Sequence, residues 1–204
     1  MAVSEILEIT KDVALSCAAI VTAIVAILGL KSWSRELHGK ADFDTARLLI
    51  KATYRLRDEV QSCRSPFVSG SEFPEGYSAL GSKDAKQEAD AWAHVYNGRW
   101  RPVLEALRAF DPTVLEAEAL WGHEIRERAD ELRQCARNLQ VAMEATIDDM
   151  AQSGAVFASD KDFAKRMRST VSASRNDKDN ALTKKIDGAV AAIEAVARPH
   201  LKRS

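Results

Sequence analysis

Val13 to Leu30, VALSCAAIVTAIVAILGL, constrains this chain more than any other stretch. It holds no charge between Asp12 and Lys31. At 1.5 Å rise per residue these roughly 18 residues reach about 27 Å, close to the hydrocarbon thickness of a bilayer. The run is expected to be a transmembrane helix, part of an anchor over residues 1–38. A buried helix of a soluble protein would show a polar face. This run has only Ser16 and Thr22, whose hydroxyls can bond a carbonyl one turn back. A cleaved leader would begin with basic residues and end on small ones. Instead Glu5, Glu8 and Asp12 precede the run, and Lys31 and Trp33 follow it as a stop and an interfacial anchor.

Basic residues set the expected orientation. Lys11 stands alone before the run, whereas Lys31, Arg35, Lys40, Arg47 and Lys51 follow it. The positive-inside rule places the C-terminal side in the cytoplasm and the short N-terminus outside, in a single-pass protein of the cell membrane. The same residues lie where anionic headgroups would meet them, although Glu36, Asp42 and Asp44 dilute their charge. Within the run, Ala14, Ala18, Thr22 and Ala26 recur at steps of four. That spacing gives a face on which a second transmembrane helix can approach closely.

Residues 39–204 are expected to form one cytoplasmic helical domain. Ala, Leu, Glu, Lys and Arg dominate and aromatic residues make up only 6% of the chain, a composition of long helices. The fold class is all-α: the single N-terminal transmembrane helix, then an elongated antiparallel bundle with long, coiled-coil-like helices. Gly39 is where the anchor helix should end or bend. A helix over about 42–64 follows, with Phe43, Ala46, Leu49, Ile50, Thr53, Leu56, Val60 and Cys63 sharing one face. The Ser-, Gly- and Pro-rich stretch 65–82 reads as a loop pinned by Phe67, Phe73 and Tyr77. Ser82 should cap a helix over about 83–110, kinked by Pro102. Asp111-Pro112 should cap and open a fresh helix running to about Ser153. Its expected heptad rows are Leu115, Gly122, Ala129, Ala136, Met143 and Met150 beside Ile125, Leu132, Leu139 and Thr146. Asp160 should cap a short helix, and a last helix should occupy about 179–202.

Chemical signatures are sparse. Cys17, Cys63 and Cys135 are isolated and read as free thiols. His38, His94, His123 and His200 form no HExxH and no Glu-x-x-His pair. Glu116, His123 and Glu127 could share a face, but a surface histidine between carboxylates explains them. No phosphate loop or nucleophile motif occurs, so no enzyme, cofactor, metal or small-molecule ligand is expected. A net charge of −1 gives no bias toward nucleic acid. Trp92, Trp100, Trp121 and Tyr96 read as bundle core, with Arg99, Trp100 and Arg101 as candidate partner contacts. The expected partners are the bilayer and either further copies of the chain or another protein. The function read from these features is a membrane-tethered interaction or scaffold module. The alternative is a membrane-acting effector or small channel subunit assembled through the transmembrane helix, although the run lacks ionisable residues to line a water path.

Overall fold

The computed structural model describes residues 3–77, 84–174 and 177–201, with the side chains of 3–10 and 12–14 left out. Among these residues there are helices and turns and no strand. Helix α1 spans Val3–Cys63, α2 Ala85–Trp121, α3 Glu124–Ala151, α4 Ala155–Ser159, α5 Lys161–Val171 and α6 Ala181–Ala197. A 3-10 turn, Arg198–Leu201, ends the described chain.

The largest departure from expectation is α1. It runs without interruption through Gly39, so the apolar run and the first bundle helix are one rod. At 1.5 Å per residue it reaches about 90 Å. Every residue from Leu15 to Ala41 is exposed, and burial starts at Thr45 and Ala46. A single glycine costs a helix only about 1 kcal/mol relative to alanine. Good helix formers stand on both sides of Gly39, and nothing there supplies a competing turn.

Four helices close the bundle in the order α1, α2, α3, α6, each packed against the next and α6 back against α1. Three cross-contacts fix the directions. Tyr54 on α1 donates to Glu194 on α6. The Arg64 Nη1 donates to Thr183 Oγ1 at 3.1 Å, and His200 Nδ1 lies 4.0 Å from Asp42 Oδ2. So α6 descends as α1 rises. On the other side Arg99 of α2 meets the segment just after α1, while Trp121 meets Asp42, which makes α2 antiparallel to α1 as well. Of the face of α1 expected from spacing, Ala46, Leu49, Thr53, Leu56, Val60 and Cys63 are buried, whereas Phe43 and Ile50 are half-buried. In α6 Leu182, Ile186, Ala189, Val190, Ile193 and Ala197 are buried, and Val196 packs half-buried beside them.

The expected boundary at Asp111-Pro112 is absent. Helix α2 continues through both Pro102 and Pro112. Each proline removes one backbone donor, at a cost of about 3 kcal/mol in a helix interior. Burial opposes that cost. Val95 before Pro102 and Val103, Ala106, Phe110, Val114 and Ala117 after it are at most 1% exposed, so buried side chains stand on both sides of both prolines. The break comes instead at Gly122, which caps α2 at φ 87°, a conformation that favours glycine. The expected helix 112–153 is therefore divided. One expected heptad row keeps Ala129, Ala136 and Met143 inside, but Leu115 is exposed and Gly122 is a turn. The other row, Ile125, Leu132, Leu139 and Thr146, is wholly buried.

Local capping places the remaining pieces. Asp84 caps α2, its carboxylate accepting from the Gln87 N–H at 2.7 Å; Ser82, the expected cap, lies outside the described residues. Asp160 caps α5 as expected, accepting from Phe163 N–H at 2.8 Å. Asn180 caps α6, accepting from Leu182 and Thr183. Leu139 sits at 0% exposure in the middle of the core. Leu139→Ala is expected to cost about 3 kcal/mol by cavity formation, measurable as a shift of the urea midpoint with unchanged slope.

Candidate interaction surfaces

Three places on this molecule concentrate chemistry: the exposed rod of α1, the end of the bundle nearest to it, and the far end around Arg64 and Arg99.

The rod carries both sequence-derived sets. Ala18, Thr22 and Ala26 are exposed, and Thr22 Oγ1 donates to the Ala18 carbonyl at 2.8 Å. The side chain of Ala14 lies outside the described residues. Lys31, Arg35, Lys40, Arg47 and Lys51 are all exposed. Among the described residues α1 is the one helix long and apolar enough to cross a membrane, and none of its apolar window is buried in the fold.

At the near end of the bundle, Trp121 closes the junction between rod and core. Its indole N–H donates to Asp42 Oδ1 at 3.0 Å, and the His200 ring stacks on it at 4.2 Å and 11°. Next to it, His123 Nδ1 is 3.1 Å from Glu118 Oε1 and Nε2 is 3.8 Å from Glu127. The expected grouping with Glu116 is corrected to Glu118. The turn at Gly122 shifts the helical phase, so Glu116 no longer shares the face of His123. Arg126 also binds Glu118 at 2.9 Å; the hydrogen bond from His123 first, and then the Arg126 guanidinium, hold the Glu118 carboxyl below its usual range. Among the described residues no cluster of histidine, cysteine and carboxylate side chains could hold a metal.

At the far end Arg64 is 1% exposed. Its Nε donates to Thr170 O at 2.8 Å, Nη2 to Ser169 O at 3.2 Å and to Asn180 Oδ1 at 2.7 Å. The two carbonyls belong to the last turn of α5, where unpaired carbonyls and the helix dipole favour a cation. Its own carbonyl accepts from Ala173 N–H at 3.0 Å. Burial pulls the guanidinium below its ordinary pKa, and the charge is kept by these acceptors. Arg64 thus joins the ends of α1, α5 and α6.

Arg99, a candidate partner contact by sequence, is engaged with its own chain. It pairs with Glu72 and donates to the carbonyls of Ser65, at 2.7 Å, and Phe67. Glu72 also accepts from Ser69 N–H, completing a capping box. Phe73 stacks on Tyr77 at 4.3 Å and meets Trp92 edge-on at 5.3 Å. These contacts fold the described part of the loop, 65–77, onto α2. Phe67 instead points outward, 77% exposed. Trp100 is half-buried against the core and Arg101 is exposed. Arg99→Ala removes the clamp. Limited proteolysis within 65–77 is expected to speed up about tenfold, the equivalent of losing one to two charge-assisted hydrogen bonds.

An open groove of about 540 Å³ lies between α3 and α6, with Cys135 and Ala189 in its floor and Glu127, Asp130 and Glu131 beside Lys185 at its rim. Burial disfavours the thiolate form of both buried cysteines. Burial pushes Cys63 from an ordinary 9.0 up to about 11, and raises Cys135 and Tyr96 in the same direction. From pH 9 to 11 the unfolded chain releases the Cys63 proton while the folded chain keeps it. Stability is therefore full below about pH 9 and falls above it, by about 1.4 kcal/mol per pH unit for one such group. Urea titrations at pH 8, 9.5 and 10.5 read this slope.

The chain matches no family model, no curated protein and no solved structure.

Proposed function

We propose that this chain is a membrane-tethered helical interaction or scaffold module, acting at the cytoplasmic surface by self-association or by holding a protein partner. The observation that carries this reading is the unbroken α1. The same helix presents an apolar surface from Leu15 to Leu30 and supplies core residues from Ala46 to Cys63. No hinge separates the two functions, so the bundle is held at a set height and rotation above the bilayer. Confinement in this way raises the effective concentration of the bundle toward partners in the same plane. Lys31, Arg35 and Lys40 follow the span directly, which supports a cytoplasmic bundle under the positive-inside rule. The open groove and the exposed Phe67 leave room for a protein partner. The test combines two measurements on the full chain: protease protection of sealed vesicles for orientation, and cross-linking with mass spectrometry for copy number and neighbours. A bundle degraded only after the vesicles are opened from the cytoplasmic side, with cross-links to itself or a second protein, is the expected result. A strictly monomeric chain without neighbours overturns it.

A further inference from the structure

We propose that a second copy of this chain covers the face of α1 that runs through Ala19, Ala23, Ala26, Leu30, Leu37 and Leu48, forming a parallel, in-register helix pair. The pair begins inside the apolar run and continues through water to the edge of the bundle. It rests on the membrane anchorage proposed above and specifies the partner and the seam.

The first support is the stalk between the apolar run and the bundle. Residues 31–41 are all exposed, yet their chemistry is segregated. At about 100° per residue, Leu30, Leu37 and Ala41 fall within roughly 40° of one another, with Trp33 on the shoulder. Lys31, Arg35, Glu36, His38 and Lys40 all lie about 80° or more from that line. Trp33 is 61% and Leu37 49% exposed. A helix solvated on every side has no physical reason to sort its residues in this way, and an isolated helix of this length is marginal in water without packing.

The second support is continuity. Upstream, Ala19, Ala23, Ala26, Leu30, Trp33 and Leu37 alternate steps of four and three, the spacing of a coiled-coil seam. Small residues occupy the part in lipid, where close packing drives association. Larger apolar residues occupy the part in water, where burying them is what stabilises a pair. Downstream, Leu48 lies on the same line and is 44% exposed on the bundle surface, so the bundle does not block the approach of a neighbouring α1.

Charge and symmetry select a copy of the same chain as the occupant. Identical chains inserted in one orientation can only pair in parallel about a two-fold axis, which sets each seam residue against itself. A charge in the seam would then repel its own copy, and from Ala19 to Leu37 there is none. Asp44, the first charge near the line, has Lys40 of its own chain one turn away on the same flank to offset it. Lys51 and Arg55 come next in line, both exposed. Their self-repulsion ends the seam at Leu48 and turns the two bundles apart.

The experiment uses the full chain in membranes with Cys17→Ser, leaving Cys63 and Cys135 buried, and single cysteines at Leu37, Ala41 or Arg35 oxidised with copper phenanthroline. Leu37→Cys and Ala41→Cys are expected to give the disulfide dimer at least about fivefold faster than Arg35→Cys, whose Cβ faces away beyond bridging distance. Equal rates at the three positions, or Leu37→Cys joining a protein of another mass, overturn the proposal. Alkaline carbonate washing of the same membranes separates this failure from failure of the anchorage. A chain that stays in the pellet without position-selective cross-linking retains the anchor and loses the seam, whereas a chain that washes out loses both.

Discussion

Arg64→Met is expected to lower the unfolding free energy by about 3 kcal/mol, and the midpoint of thermal unfolding by about 6–12 °C. Methionine matches the length of the side chain and fills the space, so the loss is polar. Four acceptors, the carbonyls of Ser169 and Thr170, Thr183 Oγ1 and Asn180 Oδ1, lose a charged donor whose own side chain is buried. Asn180 also caps α6 and donates to Ser169 O at 2.7 Å, so the start of α6 loosens together with the end of α5. Tryptophan fluorescence of the detergent-solubilised chain, followed through heat or urea, reads the change. Arg64→Lys keeps the charge but not the fork of donors and should recover only part of the loss. A variant within 1 kcal/mol of the parent would show that the guanidinium does not hold the three helix ends together.

The second large effect concerns the apolar half of α1. Val21→Asp with Val25→Asp puts two carboxylates near the middle of the run, each costing about 2.5–3.5 kcal/mol in a membrane-centred helix. The individual apolar residues contribute only about 0.3–0.6 kcal/mol apiece, so the double variant is expected to move from the membrane pellet to the soluble fraction. The bundle should be untouched, because nothing from Leu15 to Ala41 is buried in it. The near-ultraviolet circular dichroism spectrum of the released chain should therefore keep the parent's shape in its Trp92, Trp100 and Trp121 bands. Retention of the double variant in carbonate-washed membranes would sink the transmembrane reading. Loss of the parent to the supernatant would do the same.

A bundle joined to its apolar run by a continuous helix behaves differently from one hung on a linker. Any rotation or tilt of the exposed half of α1 is carried into Leu49, Leu56 and Val60, which are fully buried among α2 and α6. The Trp121–Asp42–His200 contact fastens the point where the rod enters the core. Gly39 is exposed and an added Cβ there would meet nothing within 4 Å, so the helix has room for Gly39→Ala.

Much of this architecture is set by the chain's own patterning. The apolar run, the helical class, the buried faces of α1 and α6 and the caps at Asp160 and the end of α1 all follow from spacing and local chemistry, because helical periodicity and capping act within a few residues. The candidate surfaces were only partly legible. The small-residue face and the basic stalk are visible in the residues themselves, whereas Arg99 and Arg64 look like any other surface cation until their partners, 27 to 119 positions away, are brought near.

Tertiary structure decided where helices stop. Pro112 opens a helix in isolation, yet a stripe of fully buried side chains on both sides of it carries α2 onward to Gly122. Gly39 would end a helix if a turn competed there, and none does. The sequence alone determined that this protein is helical and which faces are apolar, since both depend on local backbone preference and period. The three-dimensional packing decided which breaks are real, which cations are buried and that the apolar run and the bundle share one helix, since each depends on burial energy gathered from residues far apart in the chain.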